Sequence, residues 1–254
     1  MKLKYILTAS NENSTYLDFI PLLYKTWCDW INIPIKFILV MEEIPEKLKK
    51  YEKNIILFKP LANLSTVFQS QVIRLFYPAL INTKEAIMIT DMDMIPMNKK
   101  YFIEWVSKKD DKKFVNLPHS NNCGPDHIVM CYNIATPQIW GEIFNIQCLE
   151  DVRERLMDVH RWVQKNNIHY WGSDQSWLHY KIHTWKNKKN YIKIPPEISG
   201  TKLLCRNNIN YILQMPKQLQ EDIKNGKYSD YHMLRPYNDY KEINDYIVNL
   251  LLKE

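Results

Sequence analysis

Short apolar runs alternate with longer amphipathic stretches through the first half of the chain. The runs at residues 5–8, 35–41, 55–58 and 86–90 predict strands, and the stretches at 16–30 and 65–80 predict helices. Such alternation calls for an α/β fold with a Rossmann-like mixed central sheet flanked by helices. Farther on the pattern is mixed. Residues 113–117 and 127–133 read as strands, and the polar loop between them, with Asn121, Asn122, Gly124 and Pro125, is placed to cover a site. Thr136-Pro137 is a helix start, with proline at the first helical position. Helices are expected over 138–147, 151–165, 171–184 and 240–252, with breaks at Pro195-Pro196 and Asn225-Gly226 and an exposed segment over 228–237. No repeat or linker interrupts the chain, so residues 1–254 read as one domain.

The run at 86–90 ends in Thr90-Asp91-Met92-Asp93-Met94-Ile95-Pro96. Side chains two apart on a strand share a face, so both carboxylates can reach one cation at the strand end. A hard divalent ion held by two carboxylates keeps open positions, which phosphate oxygens usually fill. The plainer alternative is a pair of solvated loop aspartates.

Composition narrows the chemistry. A chain that is 46% hydrophobic and 13% aromatic can bury a substantial core and is not a disordered segment. It has only 5 glycines and neither a G-x-G-x-x-G nor a G-x-x-x-x-G-K pattern, so a phosphate must be held by metal and basic side chains. Cys28, Cys123, Cys131, Cys148 and Cys205 are odd in number and lack C-x-x-C spacing, which argues against a disulfide framework or a cysteine zinc site and for a reducing compartment. No run reaches the length of a membrane span and Met1 leads directly into Lys2-Leu3-Lys4-Tyr5, so a soluble, cytoplasmic protein is expected. The net charge of +6 comes from dispersed lysines, as on a solvated face, and gives no reason to expect a nucleic-acid partner. His179 and His183 are four apart on a predicted helix, but their aromatic and aliphatic neighbours point to packing rather than zinc.

Four segments, taken in order, resemble the GT-A glycosyltransferases, particularly the glycogenin-like retaining enzymes and the small glycosyltransferases of large DNA viruses such as the chloroviruses. Tyr5-Ile6-Leu7-Thr8-Ala9-Ser10-Asn11 resembles the opening strand and loop that hold the nucleotide, implying contacts from Thr8, Ala9 and Asn11. The helix around Ser70-Gln71-Val72-Ile73-Arg74 resembles the one preceding the metal motif, and implies that Arg74 reaches the donor diphosphate. Thr90-Asp91-Met92-Asp93 matches the D-x-D motif that ligates manganese or magnesium, with Asp91 also facing the diphosphate. Tyr228-Ser229-Asp230-Tyr231-His232-Met233-Leu234-Arg235-Pro236 resembles the C-terminal loop in which a histidine, here His232, completes the metal site and a basic residue, here Arg235, grips the diphosphate. This chain has Met233-Leu234 where that motif carries a glycine.

Ser173-Asp174-Gln175 resembles the aspartate-glutamine pair near the reacting sugar, so Asp174 and Gln175 are the candidate catalytic residues, and Asn133 is the candidate donor-sugar contact. Capping of the helix by Ser173 or Asp174 is compatible with that role. Trp171 and Trp177 offer a stacking platform, one of them being expected in the core. The resemblance implies a nucleotide-binding half over 1–98, a sugar and acceptor half over 99–254, a UDP-sugar donor, a glycan or glycoprotein acceptor, and retention; for inversion Asp174 is the candidate base. Lys, Asn and Ile usage is compatible with a viral source, for which the expected location is the host cytoplasm. Two rivals remain: a haloacid-dehalogenase-like phosphatase with Asp91 as nucleophile and Asp93 as acid/base, and a non-enzymatic carbohydrate- or nucleic-acid-binding domain.

Overall fold

The computed structural model describes residues 1–117, 126–194 and 200–252. The loop residues Asn121, Asn122, Gly124 and Pro125, the break at Pro195-Pro196, Cys123 and His119 lie outside them.

In chain order the strands are β1 (Leu3–Asn11), β2 (Ile35–Val40), β3 (Ile55–Phe58), β4 (Ala86–Ile89), β5 (Met94–Pro96), β6 (Phe114–Asn116), β7 (Asn133–Ala135), β8 (Tyr191–Lys193), β9 (Lys202–Leu204) and β10 (Tyr228–His232). The α-helices are α1 (Ser14–Leu17), α2 (Ile20–Tyr24), α3 (Thr66–Ile73), α4 (Lys99–Ser107), α5 (Pro137–Phe144), α6 (Leu149–Lys165), α7 (Ser173–Thr184), α8 (Ile209–Gln214), α9 (Lys217–Lys224) and α10 (Lys241–Leu251).

Seven strands form a sheet in the order β3-β2-β1-β4-β7-β6-β8, and three more form a second sheet, β5-β10-β9. The large sheet is mixed: β3, β2, β1 and β4 run parallel, and β7 lies antiparallel to both β4 and β6. Its central strands are apolar on both faces because both are covered. Ile6, Phe37, Leu39 and Met88 face one core, with Trp27 and Phe102 from the covering helices. Their neighbours Leu7, Ile38, Val40 and Ile89 face the other, against Phe68, Trp140, Leu156 and Leu178. This is the period-2 alternation of a strand buried on both sides.

Several expectations are corrected. The helix expected over 16–30 is divided into α1, α2 and a π-helical turn over Lys25–Trp30, with Pro21 in the first turn of α2, where its missing N–H costs nothing. The helix expected over 65–80 stops at Ile73, and Pro78 sits in the first turn of a separate 3-10 turn over Tyr77–Leu80. The strand expected over 127–133 is confined to β7, which starts at Asn133. Residues 228–237 are not an exposed segment: Tyr228, Ser229, Asp230 and Tyr231 are buried in β10. Their polar groups found partners that local pattern cannot reveal, with the Tyr231 hydroxyl donating to Asn244 Oδ1 at 2.7 Å and the Tyr132 hydroxyl to Asp230 Oδ2 at 3.3 Å.

This second sheet positions the site. β5 follows the aspartate pair directly, and β10 returns from the far end of the chain to lie antiparallel to it, with His232 opposite Met94. β9 runs parallel to β10, with Leu204 opposite Tyr231, so Arg206 emerges beside His232.

Candidate functional site

In the large sheet the chain runs from β1 outward through β2 to β3, and β4 takes the opposite side of β1. The carboxyl ends of β1 and β4 therefore flank a topological switch point, where open α/β sheets leave a crevice for ligands. A cavity of about 360 Å³ lies there, lined by Ala9, Asn11 and Tyr16 from the β1 side, by Arg74 from the end of α3, and by Asp91 and Asp93 after β4. Asp174 and Gln175 from the start of α7, Arg206, His232 and Arg235 complete it.

Asp91 and Asp93 do not share a strand face as expected. β4 ends at Ile89, and both residues occupy the turn into β5, which belongs to the other sheet. It is the turn that aims both carboxylates into one cavity. Thr8 and Asn133 lie outside the lining. The Thr8 hydroxyl is buried without a partner among the described residues. Asn133 is buried, donating to the carbonyls of Val129 and Met130 at 2.9 and 2.8 Å and accepting from Asn116 at 2.9 Å. It ties β7 to β6 and to the segment before β7.

Arg74 is the hub on one side. Its guanidinium donates to Asp174 Oδ2 at 2.7 Å, to Asp91 Oδ1, and to the carbonyls of Thr90 and Gln71 at 3.3 and 3.1 Å. The second oxygen of Asp91 accepts from the Cys131 thiol at 2.9 Å. Burial, the largest influence, opposes ionisation of Asp91, but Arg74 and the Cys131 thiol together outweigh it and the carboxyl sits below its ordinary range. At Asp174 burial prevails over Arg74 and pushes the carboxyl up. Oδ1 of Asp174 also accepts from the Gln175 amide at 2.8 Å, so the residue braces its own helix start while holding Arg74.

Asp93 is the hub on the other side. Its Oδ2 accepts from Arg206 at 2.6 Å and Arg235 at 3.3 Å, and faces His232 Nε2 at 3.3 Å. Burial would raise Asp93, but the His232 hydrogen bond and the two arginines lower it to about 2. Arg235 also reaches the Tyr16 hydroxyl, and its guanidinium lies 5.5 Å from the Tyr16 ring and 5.8 Å from that of Trp171.

The donor set can be tested for a metal. The 3.3 Å between His232 Nε2 and Asp93 Oδ2 is close to the roughly 3 Å separating adjacent ligands of an ion held at about 2.1 Å. Among the described residues no three His, Cys, Asp or Glu side chains already surround one point, because Asp91 is turned to Arg74 and Cys131. A carboxylate offers about four lone-pair sites, so Asp91 keeps acceptor capacity beyond those two contacts. The charged lining comprises three arginines, three aspartates and His232, so the arginine and aspartate charges cancel. A bound diphosphate adds negative charge that only a further cation can balance. The residues fit a divalent ion introduced together with a phosphate ligand.

The sequence did not single out Arg206 or Tyr16. Arg206 follows a strand too short to stand out, and nothing around it marks a phosphate contact. Trp177 is core and Trp171 is 57% exposed, dividing the expected stacking pair. The rings of His179 and His183 lie side by side, with centroids 3.9 Å apart and planes 38° apart, and His183 is exposed. The phosphatase alternative calls for a lysine beside the nucleophile, and no lysine lines the cavity among the described residues.

No protein-family model matches the chain. No curated protein matches it in sequence. Solved structures do superpose on it. The glycosyltransferase GlyE of Streptococcus pneumoniae TIGR4 does so with a TM-score of 0.57 at 12% identity, over 100% of this chain and 64% of its own. The galactosyltransferase LgtC, in complex with donor and acceptor sugar analogs, does so with a TM-score of 0.50 at 11% identity, over 98% of this chain and 95% of its own. This chain thus spans 64% of the length of GlyE. The architecture is the GT-A fold. No helix among the described residues is long and apolar enough to cross a membrane.

Proposed function

We propose that the protein is a metal-dependent glycosyltransferase that moves a sugar from a nucleotide diphosphate sugar, with uridine as the nucleoside, to a hydroxyl of a glycan or glycoprotein. The observation that carries this reading is the charge-balanced cluster of three arginines and three aspartates at the switch point of a GT-A sheet. It suits a ligand that arrives as a diphosphate with its own divalent cation.

Asp91, Asp93 and His232 are the residues that would hold the ion. When bound, it supplies Lewis-acid neutralisation of the departing diphosphate, and the imidazole ligand favours manganese over the oxygen-seeking magnesium. The nucleoside end belongs against Ala9 and Asn11, where β1 ends in the cavity wall. Arg206 and Arg235, aimed at the same point by Asp93, face the diphosphate and stabilise the charge that develops on it. Arg74 contributes to the same field while holding Asp91 and Asp174 in place.

In the transfer the acceptor oxygen bonds to the anomeric carbon while the bond from that carbon to the diphosphate oxygen breaks. The electron pair leaves with the diphosphate, which also takes the acceptor proton. Asp174 is held by Arg74 at 2.7 Å and by the Gln175 amide at 2.8 Å, contacts that fix the carboxylate at the start of α7 as a bracing group. That pairing supports retention, with Asp174 and Gln175 ordering the sugar at the start of α7.

The test is calorimetric titration with UDP, with and without manganese, on the wild type and on Asp93→Ala, followed by a screen of UDP-sugars for donor hydrolysis. Manganese-dependent UDP binding that disappears in the variant is expected. Absence of UDP binding under both conditions would refute the uridine donor. Hydrolysis of p-nitrophenyl phosphate that is lost on replacing Asp91 would establish the phosphatase instead.

A further inference from the structure

A second concavity, about 710 Å³ in volume, adjoins the donor cavity. Trp171 lines both and forms the wall between them. The division follows from helix geometry. Asp174 and Gln175 face the donor side, whereas Ser176, His179, Tyr180 and His183, at helical spacing on α7, face the second cavity. Trp162, from α6, completes an aromatic surface, its ring lying against that of Tyr180 at 5.6 Å and 30°.

Trp171 and Tyr180 are 57% and 43% exposed. Large aromatic surfaces left uncovered in a concavity are informative, whereas single exposed apolar residues are not. The polar groups among them have defined roles. His183 Nδ1 lies 2.9 Å from the His179 carbonyl, which can only accept, so Nδ1 carries a proton and Nε2 is the acceptor of that tautomer. His169 Nδ1 receives the Trp171 amide at 3.2 Å, so neutral His169 carries its proton on Nε2 and is a donor. A third imidazole, His127, is paired with the Ser176 hydroxyl at 3.0 Å. The cavity thus combines aromatic faces with imidazole nitrogens that can donate and accept, and Asp126 is the carboxylate in its lining.

We infer that this second cavity is the acceptor subsite, and that it takes a neutral pyranose saccharide through its C–H face against Trp171 and Tyr180 and its hydroxyls against His169 and His183. Sugar hydroxyls both donate and accept, so they match a mixed pair of imidazoles. A pyranose also presents apolar C–H surface to an aromatic ring. Continuity through Trp171 sets the direction, because a saccharide seated here offers its terminal hydroxyl across the shared wall to the donor sugar. This inference rests on the glycosyltransferase reading.

Saturation-transfer difference NMR with methyl glucoside, galactoside, mannoside and xyloside is the test, on the wild type, Tyr180→Ala and His183→Ala, with manganese–UDP titration of each protein in parallel. Transfer to ring C–H protons of at least one methyl pyranoside is expected, weakened about 10-fold or more in each variant while the UDP titration reports an intact donor cavity. If UDP binds and none of the four saccharides does, or if binding is undiminished in both variants, the acceptor subsite is overturned and the glycosyltransferase reading stands. If UDP fails to bind the wild type, the uridine donor of the proposed function falls, and the acceptor subsite is then decided by the saccharides alone: binding that is weakened in the variants upholds it, and no binding overturns it.

Discussion

Replacing Arg74 by alanine tests both the site and the fold. The guanidinium is 11% exposed and bridges Asp174, itself 6% exposed, and Asp91, 30% exposed. Its removal leaves the Asp174 carboxylate desolvated with no counter-charge, a situation that costs about 3–5 kcal/mol. The Asp91 share is small, because that carboxylate is partly wet and keeps the Cys131 thiol. For a chain of this size about 3–5 kcal/mol corresponds to a fall in Tm of roughly 6–20 °C. Urea denaturation followed by tryptophan fluorescence measures the loss. In the double variant Arg74→Ala/Asp174→Ala the stranded charge is gone, so part of the stability returns. A loss below about 1 kcal/mol in the single variant, or a double variant no more stable than Arg74→Ala, would refute the argument that this pair is a desolvated and mutually dependent unit.

Three further outcomes are expected. Arg206→Ala removes the 2.6 Å contact to Asp93 and one diphosphate-facing cation, and weakens manganese-dependent UDP binding about 10-fold or more by calorimetry, with little change in Tm. Gly141→Ala in α5 gains helix propensity of about 1 kcal/mol. Its new Cβ would lie 2.8 Å from the Ile146 carbonyl oxygen, so net destabilisation of about 1–3 kcal/mol is expected in denaturant titration. His179 is depressed below its ordinary value by burial and by His183, so the folded state favours the neutral ring. The stability this contributes is complete above pH 6.5 and is lost as pH falls through the folded value, so Tm declines on acidification below about 6.5 and declines less in His179→Gln.

Legibility differed from element to element. β1, β2 and β4 were readable because a strand covered on both faces is a continuous apolar run, and that needs no knowledge of its neighbours; β3, a partly exposed edge strand, was readable from the short apolar run itself. α5 was readable because Thr136-Pro137 is local chemistry. β9 and β10 were not, since β10 carries Ser229, Asp230 and His232 and becomes a strand only by pairing with β5 from the other end of the domain. The site divided in the same way. Asp91, Asp93, Arg74, His232 and Arg235 could be chosen from a motif and its surroundings, whereas Arg206 has no motif, and its role follows from β9 lying parallel to β10.

By itself the sequence determined where apolar faces lie, and therefore the α/β architecture, along with the pair of carboxylates that follows β4. Tertiary structure decided which charges meet. Arg74 chooses Asp174 across a separation of 100 residues, and Asp93 gathers Arg206 and Arg235 across 113 and 142. Local periodicity records only how a side chain sits on its own helix or strand. A cluster of opposite charges is formed by long-range packing, which brings distant segments to one switch point and takes their charged groups out of water together.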